Sequence, residues 1–153
     1  MTPSIHRVAF ASLVVTVIVV GSACVGSATG ERDFQKKAVA TTEHVRSSVR
    51  TAQLAVKAAS EDDAFEPYLS RVISQAEDDA SAALNGFESI QPPSDQSDDL
   101  RDAVSALASD AIDVLAKARI AIRRGDLEGL KATADELSQK GDELEQFGED
   151  HHA

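Results

Sequence analysis

Residues 127–147 read LEGLKATADELSQKGDELEQF. Leu127, Leu130, Ala134, Leu137, Gly141, Leu144 and Phe147 recur at steps of three or four. That spacing gathers them on one side of an α-helix and leaves Glu, Asp, Lys and Gln on the other. A strand would need its apolar residues at every second position, which this stretch does not offer. The repeat is close to a heptad, the pattern of a helix that seats against other helices. A helix with one apolar face buries it against other elements, so the stripe predicts packed neighbours.

The same period runs backward through the chain. One segment places Phe34, Ala38, Thr41, Val45, Val49, Ala52, Val56 and Ala59 on a stripe. The next places Phe65, Leu69, Val72 with Ile73, Ala76, Ala80, Ala83 with Leu84, Phe87 and Ile90. A third carries Leu100, Val104, Leu107, Ala111, Val114, Ala118 and Ile122. The breaks have physical causes. Ser60-Glu61-Asp62-Asp63 offers acceptors for free helix N–H groups. Pro67 is tolerated only in a first helical turn, which sets a second-helix start near Asp63 or Ala64. Pro92-Pro93 ends that helix, and Ser94 to Asp99 caps the next. Gly125-Asp126 reads as a C-cap followed by an N-cap.

The predicted fold is all-α: an antiparallel up-down-up-down four-helix bundle over residues 31–148, because short connections make long helices antiparallel neighbours. A separate hydrophobic N-terminal signal or anchor helix precedes it, and residues 149–153 form a flexible tail. Three helices with a loose first helix is the alternative. In the four-helix arrangement Phe34, Phe87 and Phe147 share one end. Phe65 and Tyr68 share the other, and both groups read as plugs for the bundle ends.

Charge is distributed in step with this division. The chain has 153 residues and a net charge of −11, with one cysteine and no tryptophan. Segments 31–60, 61–100, 101–125 and 126–153 carry +3, −10, +2 and −7. Every adjacent pair is then opposite in sign, with like signs on the diagonals. The acidic balance excludes a general nucleic-acid binder, which needs basic surface to displace counterions. One cysteine excludes an intrachain disulfide.

That cysteine lies in a compositionally distinct opening. Residues 1–30 contain no Asp or Glu, and Arg7 is their only Lys or Arg. Val8 to Val20 is a charge-free run, apolar but for Ser12 and Thr16, followed by the small residues Gly21, Ser22, Ala23 and Cys24. A positive start, an apolar run and small residues form the order of a secretory signal. Val20-Gly21-Ser22-Ala23-Cys24 resembles the lipobox of bacterial lipoprotein precursors, with Gly21 standing where that family usually has Leu or another branched residue. The resemblance covers only the first 24 residues or so. It implies cleavage after Ala23, so that 1–23 is the signal peptide, and diacylation of Cys24, with 24–30 as tether. Two other routes are open. Ordinary secretion would cut after Ala28, and an uncleaved anchor would use Val8 to Val25, which is near the lower limit for a membrane span. All three place residues 31–153 outside the cytoplasm, attached to the cell membrane or secreted.

The body offers little catalytic chemistry. Inward-facing di-iron sites require a pair of Glu-x-x-His motifs, and the sequence has one such spacing, Glu149 to His152 in the expected tail. His44 is expected on a helix flank. His151 and His152 follow Glu149 and Asp150 in the expected tail. Glu61-Asp62-Asp63, Glu77-Asp78-Asp79 and Asp95 to Asp99 lack EF-hand spacing and read as solvated faces and helix N-termini. Arg124-Gly125-Asp126 spells an adhesion tripeptide but is accounted for as helix end, cap and helix start. No catalytic residue, cofactor or metal site is assigned.

Two functions are carried forward. The first is a non-enzymatic lipoprotein whose acidic bundle binds another envelope protein or supports the envelope. An apolar residue outside the four stripes would mark that surface. Helix three is broadened by Ile112, Leu115, Ile120 and Ala121, which reads as deeper burial. The second is a small-ligand or metal-binding bundle, a sensor or substrate carrier, for which Thr41, Ser48, Ser105, Thr133 and Gly141 near the stripes are the candidate polar lining.

Overall fold

A computed structural model describes residues 30–61 and 65–152. The leader, with Cys24 and the expected signal or anchor helix, lies outside the described residues. The described chain is four helices: α1 (Glu31–Ser60), α2 (Glu66–Glu88), α3 (Asp95–Arg124) and α4 (Leu127–His151).

The helices form a bundle in which neighbours run in opposite senses. Along α1, Gln35 donates to the carbonyl of His151, Arg50 to Glu145 and Gln53 to the carbonyl of Leu137, so partner numbers fall as α1 advances. Arg119 reaches Glu77 and Arg101 reaches the carbonyl of Ile90 across the α2–α3 seam. Lys117 meets Glu136, and Lys140 meets Asp110, across α3–α4. Phe34 and Phe87 tie the start of α1 to the end of α2.

The cross-section is not square. α1 and α3 also pack on each other across the diagonal, whereas α2 and α4 share no seam. Both helices bury small residues, which suits this packing. Ala52 and Ala55 on α1, with Ala108, Ala111, Ala118 and Ala121 on α3, are all buried. Methyl side chains let two helix axes approach, and the outer pair is held apart. The same placement explains helix three. Leu115 and Ala121 are buried and Ile112 packs on the core, because α3 touches three helices. Only Ile120 of that broad face is exposed.

Most of the core is one cluster of Ala, Val, Leu and Ile from all four helices. A second, smaller cluster sits at the end where α1 begins. There Phe34, Ala38, Phe87 and Val104 are buried, with Ile90, Leu100 and Phe147 packed around them. The three phenylalanines thus share one end, as the topology predicts.

The opposite end differs from expectation. α2 begins at Glu66, not near Asp63 or Ala64. Phe65 is its extended N-cap residue, with φ −64° and ψ 122°, and Pro67 takes the second helical position. A missing N–H there is harmless, since the first four have no intrahelical acceptor. Phe65 and Tyr68 do not plug the end; they are 75% and 64% exposed. Leu127, the first residue of α4, is 62% exposed and leaves the stripe as well. α4 runs on to His151, past the expected boundary at 148.

The charge alternation also changes once helix bounds are fixed. Asp95, Asp98 and Asp99 belong to the start of α3, where acidic groups meet the positive end of the helix dipole. Its six Asp then outnumber its five Lys and Arg, leaving −1. Only α1, at +3, is net basic.

The α3–α4 turn has a left-handed residue at its centre. Gly125 has φ 61° and ψ 28°. The Asp126 N–H donates to the carbonyl of Ala121, and that of Gly125 to the carbonyl of Ile122, the paired bonds of a Schellman end. Asp126 then caps α4 by accepting from the Gly129 N–H at 2.9 Å. Arg124-Gly125-Asp126 is therefore a structural turn. A left-handed residue with a Cβ costs about 1–2 kcal/mol. Gly125→Ala should lower stability by that amount in urea titration; an unchanged midpoint would refute the stated role.

Candidate functional site

Leu54 sits two residues from Ala52 and two from Val56, both of which are buried. On a helix that puts it nearly opposite the core stripe, and it is 71% exposed. Its neighbour across the α1–α2 seam is Tyr68. The two line one pocket with Thr51, Ala55, Ala58, Leu69 and Val72. Tyr68 lies on this outer lip because α2 turns Leu69 and Ile73 into the core.

This pocket runs into an open groove of about 680 Å³ farther along the same seam, with Thr51 and Val72 common to both. The groove is lined by small and polar residues, among them His44, Ser47, Arg71, Gln75, Asp79 and Ala83. The α1–α2 face therefore has two zones. One is apolar, around Leu54 and Tyr68; the other is polar, around His44 and Asp79. Gln75 donates to Asp79 at 2.8 Å. Arg71, the only Lys or Arg of α2, is exposed in the groove.

Interhelical ion pairs lie on the α2–α3, α3–α4 and α1–α4 seams. Arg119 Nε lies 2.6 Å from Glu77, and this bond raises the Arg119 pKa above its ordinary value. Lys140 bridges Glu143 at 2.8 Å and Asp110 at 3.1 Å. Its pKa is raised, chiefly by the Glu143 hydrogen bond. The Glu143 carboxyl is lowered, chiefly by Lys140 and then by Gln139. Arg46 and Arg50 both reach Glu145. Such pairs at the surface contribute little each, but they close their seams sterically as well.

The expected polar lining of a ligand cavity is not convergent. Thr41 donates to the carbonyl of Lys37 at 2.9 Å and Thr133 to that of Gly129 at 2.6 Å, each within its own helix. Thr42, buried and not anticipated from sequence, donates to the carbonyl of Val39. Ser48 lines the floor of the open groove, and Ser105 is half-buried. Gly141 serves packing: a Cβ there would lie 3.3 Å from the Gln53 amide nitrogen, which reaches the carbonyl of Leu137.

The histidines do not gather. His44 is exposed on the groove. His151 stacks on Phe147 with ring centroids 4.1 Å apart and holds the Phe147 carbonyl through Nδ1 at 2.8 Å. His152 lies 3.5 Å from Glu43. Among the described residues no group of three or more His, Cys, Asp or Glu is placed to hold a metal ion. None of the described helices is long and apolar enough to cross a membrane.

No family model, curated protein or solved structure matches this chain. The outward apolar pair is the feature that sequence periodicity passed over. Leu54 carried the signal, since it breaks the stripe on which Ala52 and Val56 lie. Tyr68 did not, because it follows a proline-containing helix start whose phase was set too early.

Proposed function

We propose that this chain is an extracytoplasmic lipoprotein of a bacterial cell membrane, held through Cys24, whose acidic bundle works by binding protein rather than by catalysis. In this reading the apolar run Val8 to Val20 is the signal helix ahead of an up-down-up-down bundle, and residues 24–30 are the tether. The observation that carries the interaction role is the contrast between core and face. Buried Thr hydroxyls are bonded within their own helices, while Leu54 and Tyr68 are turned to solvent on one face. Exposed apolar side chains of this size that share a pocket suit a protein contact. The lipobox resemblance supports the address.

Mass spectrometry of the mature N-terminus tests the anchor. The expected species begins at Cys24 and carries a diacylglyceryl group. An unmodified N-terminus at Thr29 would replace the lipoprotein reading with secretion.

A further inference from the structure

We infer that the polar groove between α1 and α2 binds a short peptide with free ends, its carboxylate toward Arg71 and its ammonium toward Asp79. This goes beyond the protein contact proposed above and does not rest on it.

The floor of the groove carries the first observation. Among the described residues the buried polar side chains are Thr41, Thr42, Ser48, Ser97 and Thr133. The three threonines donate to carbonyls of their own helices, and Ser97 is bonded to Ser94. Ser48 is the exception. It is 8% exposed and makes no hydrogen bond with a described residue. A helical hydroxyl commonly turns to the carbonyl four residues back, as those of Thr41, Thr51 and Thr133 do. That of Ser48 lines the groove instead. Leaving a buried polar group unpaired costs free energy, and a ligand seated in the groove supplies the partner.

The register of the seam places the other groups. Thr51 and Val72 mark the end of the groove that joins the Leu54 pocket. His44 lies seven residues back along α1 and Asp79 seven residues on along α2. The helices are antiparallel, so these two stand level, about 10 Å from that end. Ser48 and Gln75, each three residues along, stand level between them. Arg71 adjoins Val72 at the near end.

The charges at the two ends are unspent. Arg71 forms no ion pair with a described residue. An acidic residue at position 75 would stand at i,i+4 to Arg71, but Gln75 occupies it and donates to Asp79. The groove therefore has a cation at one end, a carboxylate at the other and a free hydroxyl in its floor. Arg71 and Asp79 are eight residues apart on one face of α2, about 12 Å. A single amino acid carries both charges on one carbon and does not reach both ends. Three extended residues span about 10 Å, and their amides fall over Ser47, Ser48 and Gln75. Ala76 and Ala83 add only methyl groups to the lining, which leaves room for the ligand's side chains. The volume of about 680 Å³ is within the range of small-molecule sites.

The test uses the full chain, labelled with ¹⁵N and held in a non-ionic detergent, with trialanine as the probe. Saturable amide shifts are expected at Ser47, Ser48, Arg71, Gln75 and Asp79, with a dissociation constant of about 1 mM or below. Arg71→Gln, at an exposed site, should weaken binding about tenfold, and Ser48→Ala about fivefold, with unchanged helical circular dichroism. Acetylating the amine or amidating the carboxylate of trialanine should each weaken binding, and free alanine should be weaker still. No saturable shift up to 10 mM trialanine would overturn the site. Shifts elsewhere, or binding indifferent to both substitutions, would overturn its placement. Equal binding of the capped peptides would overturn recognition of the two free ends.

Discussion

Phe87→Ala should cost about 3–5 kcal/mol, the usual range for emptying a buried phenylalanine site. Phe87 is 2% exposed, and its ring centroid lies 5.1 Å from that of Phe34. The cluster around it is small: Phe34, Ala38 and Val104 are the other buried members. Few neighbours are free to collapse into the space, so the upper part of the range applies. Domains of this size are stable by roughly 5–15 kcal/mol in total. With a urea m-value of about 1.5 kcal/mol/M, the midpoint should fall by about 2–3 M. Phe65→Ala is the matched control. That ring is 75% exposed, so its loss should stay within about 0.5 kcal/mol. Equal effects at the two positions would mean that the two bundle ends are packed alike, contrary to the structure.

The second large effect concerns location. Cys24→Ser should clear the mature-length protein from the membrane fraction. The expected anchor is two acyl chains on one sulfur. A single chain holds a protein to a bilayer only marginally and reversibly, while two hold it stably. Serine cannot form the thioether, so both chains are lost together. Processing at Cys24 is lost as well, which should leave unprocessed precursor or release the body after a cut elsewhere. Fractionation followed by immunoblotting distinguishes the outcomes by size and place. A variant that remains in the membrane at precursor length, alongside a wild type of the same length, would assign anchoring to the apolar run itself. A wild type already soluble would point to secretion.

The helices were legible because burial in a bundle repeats with the helix period. Val45, Val49, Ala52 and Val56 on α1, and Leu130, Leu137 and Leu144 on α4, are all buried as their spacing requires. Legibility failed where a residue's fate depends on what lies beyond its own helix. Phe65 and Leu127 satisfy the period, but each stands at a helix start at the end of the bundle and remains exposed. The sign alternation failed for a related reason. Whether Asp95 to Asp99 close one helix or open the next decides the charge of both, and the Ser94 cap settles it: its side chain accepts from the Ser97 N–H. The contact of α1 with α3 was not legible either. A periodic stripe tells which side of a helix is buried, not which of three partners comes nearest. The candidate face was readable in one residue, Leu54, and its pairing with Tyr68 needed the helix phases that only the fold supplies.

The end where the chain enters α1 is stitched to the rest of the bundle. Ser94, at the head of α3, donates to Glu31 at 2.9 Å, and Gln35 donates to the His151 carbonyl at the foot of α4 at 2.8 Å. Phe34 locks into the ring cluster between them. Fraying of α1 from residue 31 therefore has to break contacts with α3 and α4 together with its own first turn.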